Sequence, residues 1–369
     1  ILIGCSPKTT PAPAPAPQSP APAPVVQPAG PATAASPQQA AWAQVISAAK
    51  KEGMVVTYTN ELVGDQGAAV AEAFKKATGI KLEIVAIGSA ARNARIRSEA
   101  RAGIFVADIS DGSATFGAAL KVDKLTQSLG DLIVYQEKKD IWVMDPRIPD
   151  PEGHIIYYNP VFQSLWVNTT LVKPGDEPRS WYDLLDPKWK GQKIGIAHPA
   201  TSSQAYRAYV LLMRKAGFKE DYFQKLGAQE PKYIPGTTQD QMMAVARGET
   251  YVTFPGASSN GLPLVKEGAP IKPVPLKEGS FATGNSMSLL ANAPHPNATR
   301  VFINWILDKE GQLTYNQARS TQPIRRDVPD FTPSAGQAKY EPLLAEDSET
   351  VQLIEAAFTA QVLTKMWIK

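Results

Sequence analysis

The stretch GHIIYYNPVFQSLWVNTTLV (153–172) is long, rich in β-forming residues and without a helical period. It interrupts a chain in which strand patterns otherwise alternate with helix patterns. A segment of this kind is typical of a strand that leaves one lobe of a protein for another. We therefore expect a second domain to be inserted into the first, with the division near residue 160.

Strand and helix patterns alternate on both sides of this stretch. The predicted strands are 54–62, 80–88, 106–110, 193–197, 250–254, 271–274 and 286–290. The predicted helices are 40–53, 64–79, 89–102, 201–215, 238–247, 297–307 and one that starts near 114. This order predicts an α/β protein of two lobes, each a mixed, mostly parallel sheet covered by helices, joined by crossing strands.

The proposed boundaries follow from this order. We assign 40–160 and 265–330 to lobe 1, and 161–264 to lobe 2. Residues 331–369 are expected to form a C-terminal helical extension.

Composition limits the possible functions. The chain has 369 residues, of which 43% are hydrophobic and 20% charged, and its net charge is +3. Because the basic residues are spread among acidic ones, nucleic acid is not an expected partner. No stretch reaches the roughly 20 apolar residues of a membrane-spanning helix, so none is predicted. We expect a monomer.

The N-terminal residues suggest an anchor. Leu2-Ile3-Gly4-Cys5 resembles the bacterial lipobox, whose cysteine carries the lipid, and Cys5 is the single cysteine of the chain. A Pro/Ala-rich segment (6–39) follows, with a composition typical of an extended, disordered tether. We expect residues 1–5 to be a lipobox remnant with a lipidated Cys5. The alternative is an accidental cysteine in a frayed terminus.

Signatures of catalysis are missing from the sequence. It contains no phosphate-binding glycine loop, dinucleotide fingerprint, nucleophile elbow or zinc-protease motif. Glu61 or Asp111 could act as a general base, but nothing in the sequence pairs either with a nucleophile. We therefore expect no enzyme activity, no cofactor and no metal.

Small polar residues stand where predicted strands end and helices begin. Because these ends share one edge of a parallel sheet, backbone N–H groups and helix dipoles there favour an anion. The alternative is ordinary helix capping. The candidate ligand contacts in these loops are Asn60, Glu61, Ser89, Gly112, Ser113, Thr201, Ser202 and Ser203.

The predicted helix after Ser89 carries arginines that could reach such an anion. Arg92 is the best placed and Arg95 the next, since the planar fork of arginine suits an anion held by backbone N–H groups. The alternative is that these arginines lie on a solvated helix face.

Several stretches in order resemble the extracellular solute-binding proteins of bacterial ABC importers, in the group that includes ferric-ion, hexose-phosphate, thiamine and phosphonate binders. The matching stretches are AKKEGMVVTYT (49–59), FKKATGIKLEIV (74–85), RIRSEARAGIFVADIS (95–110), SWYDLLDPKWKGQKIGIAHP (180–199) and PHPNATRVFINWILDKEGQ (294–312). The resemblance implies a two-lobe periplasmic-binding-protein fold of type II. It also implies an extracytoplasmic location at the cell membrane or periplasmic face, and delivery of a small solute to an ABC permease.

One departure from the family pattern bears on the ligand. Ferric binders of this group usually carry adjacent tyrosines on the loop after the strand at 250–254, whereas in this chain that loop reads FPGASSNGLP (254–263). We expect Ser258, Ser259 and Asn260 to contact an anionic organic solute instead, and we include Trp166 and Asn285 as further candidate contacts. The alternatives are a ferric-ion-binding protein of the same family, or an enzyme or adhesion module on a two-lobe scaffold.

Overall fold

A computed structural model describes residues 37–130, 139–197, 203–235, 238–331 and 343–345. The lipobox, residues 6–36 of the tether and nearly all of the C-terminal extension lie outside these residues. The first described element, helix α1 (Pro37–Glu52), begins three residues earlier than expected, with proline at its first position. Proline is well tolerated there because its fixed backbone angle suits the first turn.

The further helices cover the sheet and agree in most cases with the predicted ones. They are α2 (Gly64–Thr78), α3 (Ser89–Arg101), α4 (Ala114–Val122), α5 (Ser203–Lys215), α6 (Glu220–Gly227), α7 (Thr238–Ala246), α8 (Ser258–Lys266), α9 (Pro296–Leu307) and α10 (Lys309–Arg319). Among the described helices, none is both long and apolar enough to cross a membrane.

The described strands belong to one hydrogen-bonded sheet. They are β1 (Met54–Thr59), β2 (Lys81–Ala86), β3 (Ile109–Ser113), β4 (Ile156–Asn168), β5 (Ile194–Ala197), β6 (Lys232–Ile234), β7 (Val252–Ala257), β8 (Ile271–Val274), β9 (Ser280–Leu289) and β10 (Leu343–Ala345). The main order is β2-β1-β3-β9-β4-β7-β5-β6, with β8 beside β4 and β10 beside β9.

Strand direction divides this sheet into two parallel groups. β1 lies parallel to β2 and β3, and β5 lies parallel to β6 and β7. The long strands β4 and β9 run antiparallel to each other and connect the two groups. The predicted two-lobe α/β fold with crossing strands is therefore confirmed, and the stretch at 153–172 contains one of the two crossing strands.

Each lobe has its own hydrophobic core. The core of lobe 1 contains Phe74, Phe302 and Trp305. The ring centroid of Phe74 lies 4.9 Å from that of Phe302 and 5.3 Å from that of Trp305. The core of lobe 2 contains Trp181 and Phe254, with ring centroids 4.2 Å apart. Aromatic pairs of this kind stabilise a core beyond the area that they bury.

The boundary of lobe 2 differs from the predicted one. β8 pairs with β4, and Val274, Leu276 and Phe281 pack in the lobe 2 core. Lobe 2 thus extends to about residue 281 rather than 264. The sequence analysis ended lobe 2 too early because β8 is a short strand whose sequence does not indicate its partner. Tertiary contacts decide that β8 pairs with β4.

Two further elements differ from expectation. The stretch 254–263 was predicted to be a loop, but it forms the end of β7 and the first turns of α8, with Pro263 inside the helix. Leu343–Ala345, predicted to be helical, form the short strand β10, parallel to β9. The rest of the extension lies outside the described residues.

Candidate functional site

A cavity of about 670 Å³, including the space open to solvent, lies where the two lobes meet. Its walls come from the loop after β1, from the crossing strands, from the start of α8 and from the residues that follow α10. The lining residues are Glu61, Asn159, Pro160, Val161, Phe162, Ser258, Ser259, Leu262, Asn285, Arg319, Ser320, Thr321 and Gln322. The surface is about equally polar and apolar, and Phe162 and Leu262 contribute to its apolar part.

An ion pair forms one wall of the cavity. Arg319 Nη2 lies 3.4 Å from Glu61 Oε2, and Arg319 Nη1 donates to the backbone carbonyl oxygen of Glu61. Asn285 Nδ2, from β9, donates to Glu61 Oε2 at 3.1 Å, and Asn60 Nδ2 donates to Oε1 at 2.6 Å. These contacts fix the orientation of the Glu61 carboxylate within lobe 1.

Beside this wall, Arg92 holds the strand ends together. Its Nη1 donates to Asn60 Oδ1 at 2.9 Å and to the backbone oxygen of Asp111, and Ser89 Oγ donates to the same Asn60 oxygen at 2.9 Å. Arg92 is only 1% exposed, and burial lowers its pKa. Its role in this structure is to position Asn60 and the end of β3.

Gly112 makes room for this arrangement. A Cβ atom at this position would lie 2.7 Å from Arg92 Nη1 and 2.8 Å from Asn60 Oδ1. Glycine is therefore required by the close approach of the arginine. The Gly112 carbonyl oxygen in turn accepts a hydrogen bond of 2.9 Å from Ser286 Oγ on β9.

A fully buried carboxyl group lies beneath the strand ends. Asp111 Oδ2 accepts a hydrogen bond of 2.5 Å from Thr59 Oγ1, and Oδ1 accepts one of 2.9 Å from the Tyr158 hydroxyl. Burial, with a further contribution from the charge of Glu61, raises the pKa of Asp111 to about 7. Burial also raises the pKa of Tyr158 well above its usual value.

Three helices that follow strand ends, α3, α4 and α8, begin without a side-chain capping hydrogen bond. The N-cap residues of α3, α4 and α8 are Gly88, Ser113 and Ala257, and none of their side chains makes a capping hydrogen bond. The first-turn N–H groups of a helix without such a cap need another acceptor or water. Of these three helix starts, that of α8 lines the cavity, at Ser258 and Ser259.

Most of the predicted contacts fall into three groups. Glu61, Ser258, Ser259 and Asn285 line the cavity. Asn60, Ser89, Arg92 and Gly112 form the hydrogen-bonded group next to it. Thr201 and Ser202 lie outside the described residues, and so does the side chain of Ser203, which begins α5.

Four predicted contacts lie elsewhere. Trp166 is fully buried in the lobe 2 core, where its Nε1 donates to the Gly256 carbonyl oxygen at 3.1 Å. Arg95 lies on the exposed face of α3 and pairs with Glu99 at 2.7 Å. Ser113 ends β3 without lining the cavity, and Asn260 Nδ2 donates to Gln239 at 2.7 Å on the surface of lobe 2.

Sequence reasoning missed the contribution of α10 and the residues after it. Arg319, Thr321 and Gln322 line the cavity, although the sequence analysis predicted no helix between residues 307 and 331. A usable signal was present, because Asp308 caps α10 by accepting from Lys309 N at 2.7 Å. Asn159 and Phe162 were placed on a crossing strand but were not recognised as lining residues.

Two relatives align with substantial parts of the chain. An uncharacterised protein of Haemophilus influenzae is 26% identical over 346 residues, which is 89% of this chain and 94% of that protein. A candidate 2-aminoethylphosphonate-binding periplasmic protein of Salmonella typhi is 27% identical over 197 residues, which is 51% of this chain and 56% of that protein.

Solved structures share the fold at lower identity. Iron-bound HitA of Pseudomonas aeruginosa has a TM-score of 0.64 and 22% identity, over 86% of this chain and 99% of that one. The periplasmic binding protein AfuA of Actinobacillus pleuropneumoniae, with fructose-6-phosphate bound, has a TM-score of 0.58 and 23% identity, over 86% and 98%. At these identities the likeness supports the two-lobe binding-protein fold, while the ligands belong to those proteins.

The family itself is identified by sequence. The model of the family described as bacterial extracellular solute-binding protein matches residues 69–345, well over half of the chain. The match covers lobe 2, lobe 1 from within α2 onward, both crossing strands, and Asn285 and Arg319 of the cavity wall, while β1 and Glu61 precede it. The resemblance noted in the sequence is therefore confirmed, and the chain belongs to the bacterial extracellular solute-binding protein family.

Proposed function

We propose that this protein captures a small solute with an anionic group in the cavity between its lobes and delivers it to the permease of an ABC importer. Solute binding of the ABC-importer type follows from the family. The proposal adds the place of binding and the chemistry of the solute. The observation that carries it is a cavity lined by Arg319 together with Ser258 and Ser259 at the start of α8.

The lining chemistry suits an anionic group. A guanidinium donates several N–H bonds in one plane and matches carboxylate, phosphonate or phosphate oxygens. Ser258 and Ser259 lie in the first turn of α8, where the helix dipole favours negative charge. The Salmonella typhi relative, named for an aminoalkylphosphonate, makes phosphonates a reasonable first class to test.

Iron chemistry receives less support. Among the described lining residues there is one carboxylate, Glu61, and no tyrosine or histidine. The adjacent Tyr157 and Tyr158 are fully buried in the lobe 1 core. Within the part of the chain that the structure describes, no cluster of three or more His, Cys, Asp or Glu side chains could hold a metal ion. Hard oxygen ligands for Fe(III) are thus sparse in this cavity.

The proposal also includes the anchor and the mode of action. Lipidation of Cys5 would attach the protein to the membrane, and the Pro/Ala-rich segment would hold the binding lobes away from it. The protein acts outside the cytoplasm as a monomer, needs no cofactor, and returns its solute chemically unchanged.

A thermal-shift screen tests the ligand class. The panel contains carboxylates, phosphonates, phosphate esters, ferric citrate, polyamines and neutral sugars. A ligand at 100 times its Kd stabilises the folded state by about 2.7 kcal/mol, which such a screen detects. We expect stabilisation by members of the first three classes. Stabilisation by ferric citrate, polyamines or neutral sugars alone would contradict the proposal.

A further inference from the structure

The cavity presents both signs of charge to a ligand. Glu61 and Arg319 are its charged side chains among the described lining residues, and their side chains are 17% and 21% exposed. The two charges offset each other. A ligand with only an anionic group would therefore gain from Arg319 but meet repulsion from Glu61 a few ångströms away.

The Glu61 carboxylate has capacity for a further donor. A carboxylate offers about four acceptor positions. Among the described residues, Asn60 donates to Oε1, while Asn285 and Arg319 face Oε2. The less occupied oxygen, Oε1, keeps acceptor capacity for a further donor.

The donors that hold Glu61 also keep it in the cavity wall. The backbone contact from Arg319 Nη1 ties the loop after β1 to the end of α10, and Asn285 ties the same side chain to β9. The carboxylate is thus an oriented part of the site rather than a mobile surface charge. A fixed negative group beside a fixed guanidinium is complementary to a ligand that carries one charge of each sign.

We infer that the solute is zwitterionic, with an ammonium group that donates to Glu61 and a phosphonate, phosphate or carboxylate group that lies against Arg319 and the serines at the start of α8. This inference rests on the proposed function and narrows its ligand class. It assigns Glu61 as the residue that selects amine-bearing solutes from simple anions.

Matched pairs of probes test the inference by isothermal titration calorimetry. Each pair differs by one amino group: 2-aminoethylphosphonate and ethylphosphonate, phosphoethanolamine and ethyl phosphate, β-alanine and propanoate. In the wild-type protein we expect the amine-bearing member of at least one pair to bind about tenfold or more tightly than its partner, as a charge-assisted hydrogen bond predicts.

Variants separate the role of Glu61 from a general effect of losing a carboxylate. Glu61→Gln should lower the affinity for the amine-bearing probe about tenfold and leave that of the simple anion equal or higher, because Arg319 loses its charged partner. Glu177→Gln is the matched control. Glu177 pairs with Lys272 at 2.8 Å on lobe 2, has the same side-chain exposure of 17%, and does not line the cavity.

The possible outcomes are distinct. Equal or tighter binding of the simple anions in wild type overturns the zwitterion inference but leaves the proposed function intact. Binding of none of the six probes counts against both. If Glu61→Gln does not fold, as judged by circular dichroism, the wild-type ratio still decides the question.

Discussion

Arg319, the last residue of α10, donates from Nη1 to the backbone oxygen of Glu61, 258 residues earlier in the chain. Its Nη2 also faces the Glu61 carboxylate, and its guanidinium lies over the Tyr315 ring at 5.4 Å. Nearby carboxyl and phenol groups raise the pKa of Arg319 in spite of its burial. The arginine thus stays charged while it joins the first and last parts of lobe 1 at the cavity.

Arg92 provides the first prediction. Arg92→Ala should lower the free energy of unfolding by roughly 3–5 kcal/mol, because it removes a buried cation that offsets Asp111 and orders Asn60. The exposed Arg95, on the same helix, serves as the control, and Arg95→Ala should cost at most about 1 kcal/mol. Urea unfolding measures both. Similar losses in the two variants would show that Arg92 has no special structural role.

Asp111 provides a prediction about pH. Its pKa is raised from 3.8 to about 7 in the folded state, so between these values the folded protein binds a proton that the unfolded chain releases. The contribution of Asp111 to stability therefore falls as pH rises from about 4 to 7, by up to a few kcal/mol. Below this range both states are protonated, and above it both are ionised.

The Asp111→Asn variant isolates this effect. The difference in unfolding free energy between wild type and Asp111→Asn should decline across pH 4 to 7, as measured by urea unfolding at a series of pH values. Glu177→Gln is the control, because the Lys272 hydrogen bond lowers the pKa of Glu177 to about 2 and its contribution is constant above pH 5. A flat difference for Asp111→Asn would contradict the prediction.

Gly284 provides a prediction about the crossing strands. A Cβ atom there would lie 2.2 Å from Tyr157 Cδ1, and Tyr157 is fully buried on the neighbouring strand. Gly284→Ala should therefore cost about 3 kcal/mol or more through overpacking. Gly88, where no atom lies within 4 Å of the added Cβ, is the matched control, and Gly88→Ala should cost at most about 1 kcal/mol. Comparable thermal stability of the two variants would argue against close packing of Gly284 on the Tyr157 ring.

Cys5 provides a prediction about location. When the full precursor is expressed in a bacterium, the wild-type protein should enter the detergent phase, because a lipid on Cys5 adds apolar surface. Cys5→Ser should remain in the aqueous phase. If both proteins stay in the aqueous phase, the anchor proposal is wrong.

Local patterns were sufficient for most of lobe 1. Strand β2 and helix α2 carry a clear hydrophobic period, whereas α3 carries almost none and was placed by the alternation of strands and helices. Parallel pairing brings Asn60, Ser89 and Gly112 together at the strand ends, as expected. The sequence reasoning proposed an anion site at this edge of the sheet, which stays a prediction. It could not show that Arg92 would be buried beneath the edge, since the direction of a side chain depends on packing around the helix.

Other parts of the site depend on contacts between distant segments. Arg319 reaches Glu61 only through the folding of α10 against lobe 1. Ser258 and Ser259 were expected on a loop, but they begin α8, which packs against β4 and β8 although it contains the poor helix formers Gly261 and Pro263. Trp166 was expected at the cavity, yet neighbouring glycines on β7 and α8 leave room for its ring in the lobe 2 core.

The central claim is that a solute binds in the cavity beside Arg319. Isothermal titration of the best ligand from the thermal-shift screen, with wild type, Arg319→Ala and Arg97→Ala, tests it most directly. Arg97 pairs with Asp123 at 2.6 Å on the exposed side of lobe 1 and does not line the cavity. We predict one ligand per chain, at least about tenfold weaker binding for folded Arg319→Ala, and unchanged binding for Arg97→Ala. Wild-type affinity in Arg319→Ala would contradict the account.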